Sequence, residues 1–254
     1  MSIQNAPQSL AAWFATPLGQ YALEREQRYF DEAVADVFGF NALQLALPEY
    51  DFLRGSRIPF KCRIAPEGAV GLRADFRDLP VASNSVDLLL LPHVLEFSKH
   101  PHQILREVHR VLMPEGHAVI ACFNPWSLWG VRRVFEGASD SYPWCGQFIN
   151  LPRLKDWLAL LELEITAGGM GCYLPPCTQD KWIQRFRFME AAGDRWWPIA
   201  GGVYFLQVVK RVRGMRVIMP MWREQLARRR NLAAVPKTND TDEPVAARSP
   251  VKAQ

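Results

Sequence analysis

The chain has 254 residues, 49% of them hydrophobic and 22% charged, with a formal net charge of +4. That balance allows one large core, or a core with a lid, and excludes fibrous and wholly disordered classes. No apolar run reaches the ~18 to 20 residues of a membrane span, and the first twenty residues lack a secretory signal's basic-then-apolar layout, so a cytoplasmic setting is expected.

In chain order, Phe30, Ala33, Val34, Val37 and Phe38 recur at helical spacing and predict a helix over 18–38, ended by Gly39. Residues 41–47 read as a first strand, "PFKCRIAP" as a short second and "AVGLRAD" as a third ending at Asp75. A polar turn, Ser83-Asn84-Ser85, precedes an apolar burst from Val86 to Leu91, which suits a central parallel strand covered on both faces. Pro101 opens a helix with Ile104, Leu105, Val108, Val111 and Leu112 as its buried stripe, and "MPEG" stops it before the strand "HAVIACFNP". This alternation over 18–125 predicts a parallel sheet with helices on both faces and a ligand crevice at the carboxyl ends of the strands.

Residues 126–150 are aromatic and long for a connection, as in a lid or substrate loop. A helix and strand follow in "LPRLKDWLALLELEITAGG", then a helix with Trp182, Phe186 and Met189, then the strand "GGVYFLQVVKRV". One domain over 1–232 is expected, ending in a short basic helix, with 233–254 a disordered tail. Residues 210–230 hold eight Lys and Arg against Glu224 alone, so the rest of the chain is slightly acidic. That segment admits a polyanion, an RNA or an anionic lipid surface, although a solvated basic edge explains it as well. The five cysteines, Cys62, Cys122, Cys145, Cys172 and Cys177, form neither a disulfide framework nor a zinc spacing, so no metal is expected.

Residues 74–125 carry Asp75, Leu79-Pro80, Ser85, Asp87, Leu95-Glu96, Pro101, Leu105, Glu107, Arg110-Val111-Leu112, Pro114, Gly116 and Asn124-Pro125 in one order and register. In these positions the chain resembles the class I S-adenosylmethionine-dependent methyltransferases, most closely the bacterial small-molecule type. With "TPLG" near the start and "NPWSLWG" after the fifth strand it looks like a little-characterised bacterial branch. The resemblance implies an α/β fold, a doubly wound, mostly parallel seven-stranded sheet with a terminal antiparallel hairpin in three α/β/α layers. It also implies S-adenosylmethionine as cofactor and a small-molecule methyl acceptor.

Carried over residue by residue, Asp75 matches the acid that accepts from the adenine amino group, with the Phe76 backbone facing a ring nitrogen. Glu67 stands nearest the acid that grips the ribose, or is a solvated loop acid. Pro92 and His93 fall where the methionine end and the acceptor meet. Asn124 either orients an acceptor, which with His93 makes it a catalytic candidate, or caps the strand end. Trp126, Trp129, Arg132, Tyr142 and Trp144 are the substrate-side candidates, or the packing of a hydrophobic lid.

The departure lies after the first strand, where the family carries acid-x-Gly-x-Gly-x-Gly and this chain reads Gln44-Leu45-Ala46-Leu47. Leu45, Ala46 and Leu47 would then line the cofactor without glycine's freedom. Three outcomes are open. Ala46 is accepted with a negative φ, or Gly55 serves on a rearranged loop, or the site is degenerate and the fold is a binding or regulatory scaffold.

Overall fold

The computed structural model describes residues 7–68, 70–136, 141–177, 179–186, 188–197 and 199–211. These belong to a compact unit, Met1–Val212; a second unit, Arg213–Gln254, lies outside the described residues, and with it the expected basic helix and tail.

Seven strands form one sheet: β1 (Asn41–Leu45), β2 (Phe60–Ala65), β3 (Leu72–Arg73), β4 (Val86–Pro92), β5 (Leu112–Phe123), β6 (Leu163–Gly171) and β7 (Val203–Lys210). Their spatial order is β3-β2-β1-β4-β5-β7-β6, with β1 to β5 parallel and β7 antiparallel to both neighbours. This is the expected architecture, hairpin included. The strand order reverses between β1 and β4, and this is the switch point that opens a crevice at their carboxyl ends.

Side chains along the central strands alternate between two cores, as the two-residue period requires. Leu88 and Leu90 of β4 face one, with Val119, Ala121 and Phe123 of β5. Leu89 and Leu91 face the other, with Ala118, Ile120 and Cys122. Helices α1 (Leu10–Phe14) and α2 (Pro17–Val34) cover the first face. Helices α3 (Pro101–Val111) and α5 (Leu151–Leu160) cover the second; α4 (Leu128–Glu136) lies between them in sequence.

Helix α2 starts where Thr16 accepts from the Gly19 amide, with Pro17 in the first turn. It buries Leu18, Ala22, Glu26, Phe30 and Val34, an every-fourth-residue stripe with a carboxylate at its centre. It stops at Val34 rather than at Phe38, whose side chain is exposed. Gly39 has a different task from ending a helix. A Cβ there would come within 2.3 Å of the Asp87 side chain, whose carboxylate accepts from the Phe40 and Asn41 amides at 2.8 and 2.9 Å. Asp87 thereby pins the start of β1 to β4.

Other boundaries also shift. Helix α3 runs straight into β5, so "MPEG" is the irregular start of the strand rather than a connection; the β4–β5 register slips between Val86 and Leu88. The helix expected between β6 and β7 is two, α6 (Asp180–Arg185) and α7 (Phe188–Trp196). Lys210, the first residue of the basic segment, is not exposed charge. Its ammonium is buried and donates to Asn84 Oδ1 and to the His109 and Leu112 carbonyls at the end of α3. Arg211 pairs with Glu115 and Glu164. None of the five cysteines is in a disulfide.

Candidate functional site

The tip of β1 shows how the chain manages without glycine. Ala46 and Leu47 both adopt left-handed backbone, φ 65° and 46°. Such a conformation is strained for a side chain with a Cβ and persists only where its surroundings over-determine it. Gln44 supplies that. Its buried amide nitrogen donates to the Ala46, Leu47 and Tyr50 carbonyls at 3.2, 3.0 and 2.8 Å, and its oxygen accepts from the Phe52 amide at 3.0 Å. A carboxylate could not do this, because three of these partners are acceptors. The expectation of a negative φ at Ala46 is therefore corrected. Gly55 is no substitute: it packs against α2, where a Cβ would come within 3.1 Å of the Asp31 Cα.

A cavity of about 880 Å³ opens at the ends of β1 to β4. Ala46, Leu47, Glu67, Asp75, Phe76 and His93 line it, as do the first turn of α1 and Tyr142, which form its roof. The Tyr142 amide donates to the Pro7 carbonyl at 3.2 Å, and the Tyr142 ring lies 5.0 Å from that of Phe97, so the two parts of the roof are tied together. Leu45 and Pro92 were also expected to touch the cofactor; their side chains are buried in the strands and do not line the cavity.

Asp75 is half-exposed at the rim. The Arg77 guanidinium grips its carboxylate through Nε at 3.0 Å and Nη2 at 2.5 Å, and the Arg77 amide adds a bond at 2.9 Å, which holds the carboxyl down at about 2.

His93 sits at the end of β4 with φ 53° and is almost wholly buried. Its Nδ1 lies 2.9 Å from Glu96 Oε1 and its Nε2 2.9 Å from Glu26 Oε1, while its ring stacks on Phe123 with centroids 4.0 Å apart. Burial alone would lower the imidazole pKa, but the two carboxylates prevail and hold it up at about 10. Both ring nitrogens then carry protons and donate. His93 has no free lone pair with which to take a proton, which tells against its place as a catalytic candidate. Glu96 Oε1 also accepts from the Phe123 amide at 2.7 Å, whereas Glu26 Oε2 and Glu96 Oε2 have no hydrogen-bond partner. Glu26 is the residue that sequence reasoning missed; an acid inside the apolar stripe of α2 was its signal.

A methyltransferase-domain family model matches residues 56–120. The uncharacterized protein YafS of Escherichia coli K12 is 30% identical over 180 residues, 69% of this chain and 75% of that protein. A malonyl-[acyl-carrier protein] O-methyltransferase of Laribacter hongkongensis is 34% identical over 85 residues, 34% of this chain and 28% of that enzyme. Among solved structures, a methyltransferase of Thermotoga maritima superposes with TM-score 0.56 at 14% identity, covering 75% of this chain and 93% of that one. The [4+2]-cyclase SpnF gives 0.52 at 18% identity, covering 76% and 82%. The chain belongs to one family with YafS and carries a methyltransferase domain on the class I S-adenosylmethionine-dependent methyltransferase fold.

The methyltransferase cofactor is S-adenosylmethionine, and the residues present fit it. An acid stands at the end of β3, another follows β2, and the left-handed β1 tip presents the backbone form that glycines give elsewhere, all around a cavity of ligand size. The acceptor-side expectations fare less well. Asn124 is buried and saturated: its Nδ2 donates to the Ile199 and Gly201 carbonyls, both at 2.9 Å, and its Oδ1 accepts from the Trp126 amide at 3.0 Å. It braces the end of β5 against the start of β7 and does not line the cavity, which corrects its catalytic assignment.

Of the five aromatic and basic candidates, Tyr142 alone lines the cavity. Trp129 and Trp144 are core residues, the Trp129 indole donating to the Leu174 carbonyl at 2.7 Å. Arg132 donates to the Pro176 carbonyl and stacks over Trp144, and Trp126 points to solvent with its indole nitrogen on Asn150 Oδ1. The aromatic segment is thus mostly packing.

Proposed function

We propose that this protein transfers a methyl group from S-adenosylmethionine to a small, partly apolar acceptor that enters beneath the roof formed by α1 and Tyr142. The observation that carries this reading is the cavity at the β1–β4 ends, whose lining combines Asp75 and Glu67 with Tyr142, Phe97 and Leu10. Asp75 and the Phe76 backbone would hold the adenine, Glu67 the ribose, and the Ala46–Leu47 backbone the amino-acid end. Bound there, the cofactor supplies a methyl group already activated by its sulfonium. Positioning is then most of what the chain contributes.

His93 takes no proton from the acceptor, because both its nitrogens are engaged. It forms part of the cavity wall as a fixed charged group between Glu26 and Glu96. The acceptor is accordingly one that attacks without help from this histidine. Leu10, Phe97, Ile104 and Tyr142 suit a planar or apolar body for it.

Because SpnF shares the fold and is described as a cyclase, cofactor binding alone does not establish transfer. The test is calorimetry with S-adenosylmethionine and its demethylated product, followed by radiolabelled methyl transfer into a small-molecule extract. Heat on binding with label in a low-mass product is the expected result. Absence of heat with both ligands would remove the reading.

A further inference from the structure

Helix α4 is built inside out. Its two arginines turn inward: Arg132 stacks over Trp144, and Arg133 lies over the Phe148 ring while donating to the Gly146 carbonyl at 2.7 Å. Of its apolar residues Trp129 is buried, whereas Leu128, Val131, Val134 and Phe135 turn outward, Phe135 being 85% exposed. An amphipathic helix whose apolar stripe faces water is normally covered by something.

The exposed stripe does not end with the helix. Trp126, 72% exposed, precedes it, and the Trp126 amide is bound to the same Asn124 side chain that binds the Ile199 carbonyl. Ile199 is itself exposed, as are Trp196 and Trp197 just before it. Asn124 therefore joins two exposed apolar segments into one belt. Alongside, the exposed charged groups among the described side chains of α6 and α7 are Lys181, Arg185 and Arg195, all cationic. The acid Glu190 is turned inward, to the Cys172 and Tyr173 amides at 3.1 Å and to Arg25.

We propose that this belt docks on an anionic lipid bilayer, with its aliphatic and indole groups at the headgroup–acyl boundary and its cations on the lipid phosphates. Indoles favour that boundary because one edge is polar and the rest apolar. No described helix is long and apolar enough to cross a membrane, so the contact is with the surface. The charge decides between occupants. A second copy of this chain would bring like-charged flanks together. An RNA would satisfy the cations but gains nothing from Leu128, Val131 and Val134, which cannot stack on bases as aromatic rings do. Residues 213–230 carry Arg213, Arg216, Arg223, Arg228, Arg229 and Arg230 against Glu224, the same sign as the belt's flanks, which adds to the attraction for an anionic surface. Docking is independent of methyl transfer.

The test uses the full chain with vesicles of phosphatidylglycerol and phosphatidylcholine, or of phosphatidylcholine alone. Co-sedimentation with the anionic vesicles and quenching of tryptophan fluorescence by brominated acyl chains are expected. The variant Val134→Ser/Phe135→Ser/Trp196→Ser/Trp197→Ser, whose altered residues are solvent-exposed, should keep its thermal unfolding and lose about ten-fold or more in vesicle partitioning. Were that variant to misfold, quenching of the wild type by brominated lipid still decides. The proposal is overturned by vesicles that do not sediment the protein, or by a folded variant that binds equally. It also fails if lipid leaves the fluorescence unchanged because the chain covers its own belt, if the belt drives dimerisation without lipid, or if it binds single-stranded RNA in preference to vesicles.

Discussion

Gln44 and Asp75 show how far a single side chain sets the character of the cavity. Gln44 organises the β1 tip with both ends of its amide, so Gln44→Leu leaves the Ala46 and Tyr50 carbonyls and the Phe52 amide without this partner, while the Leu47 carbonyl keeps the Tyr50 amide. Each buried polar group so orphaned costs about 1–3 kcal/mol. Gln44→Leu is therefore expected to lower unfolding free energy by about 3 kcal/mol or more, read from denaturant midpoints. Ala46→Gly should lie within about 1 kcal/mol of wild type, because relief of left-handed strain offsets the added unfolded-state entropy. Leu47→Gly behaves differently: the side chain belongs to the core, and its loss costs about 3 kcal/mol in the same measurement. At the rim, Asp75→Asn should weaken cofactor binding about ten-fold, the worth of one charged hydrogen bond, with stability barely changed. An unchanged calorimetric affinity would place the adenine elsewhere.

Among the elements, α2 and β4 are coupled through one buried cluster. Glu26 projects from the middle of the apolar stripe of α2 and meets His93 from the end of β4, with Glu96 closing the other side. The imidazole is held at about 10 against about 6.5 in the unfolded chain. The folded state thus retains a proton that the unfolded state releases. Its stabilisation is complete below pH 6.5 and is lost as pH rises from there through about 10. Cys122 and Cys172, whose thiols burial pushes up, add a loss of the same sign, but only above the ordinary thiol range near about 8.5. The thermal midpoint is therefore expected to fall from about pH 7 upward, before the thiols contribute. In Glu26→Gln the histidine keeps one carboxylate, so the fall should begin at the same pH, set by the unfolded chain, but end at a lower pH and be smaller in total. Coincident curves for the two proteins would show that the cluster does not hold the proton. On β7, Lys210→Met would leave the two carbonyls at the end of α3 unsatisfied and should cost about 2–4 kcal/mol in urea unfolding.

At the scale of the whole molecule, the strand order places the expected cofactor and catalytic positions at the carboxyl ends of the strands, yet only some of those residues turn toward the cavity. Ala46, Leu47, Glu67, Asp75, Phe76 and His93 do; Leu45, Pro92 and Asn124 do not. Position along the chain identifies a strand end, but the two-residue alternation then sends neighbouring side chains to opposite faces. A one-residue difference in where a strand stops reverses the assignment. The aromatic segment failed for a related reason. A tryptophan in a loop looks the same in sequence whether it fills a core, as Trp129 does, or meets solvent, as Trp126 does.

What the sequence by itself determined is the sheet, the helices α2, α3 and α5 that cover it, and the family resemblance. Apolar periodicity and the Asp75-to-Asn124 register are local patterns, and local patterns survive without coordinates. The tertiary structure alone decided what the side chains do at the strand ends. It joined Glu26 to His93 across 67 residues, turned Gln44 onto its own loop and left Phe135 facing outward. Hydrogen bonds between distant residues and the outward turn of a helix depend on packing, and packing is fixed only when the elements meet.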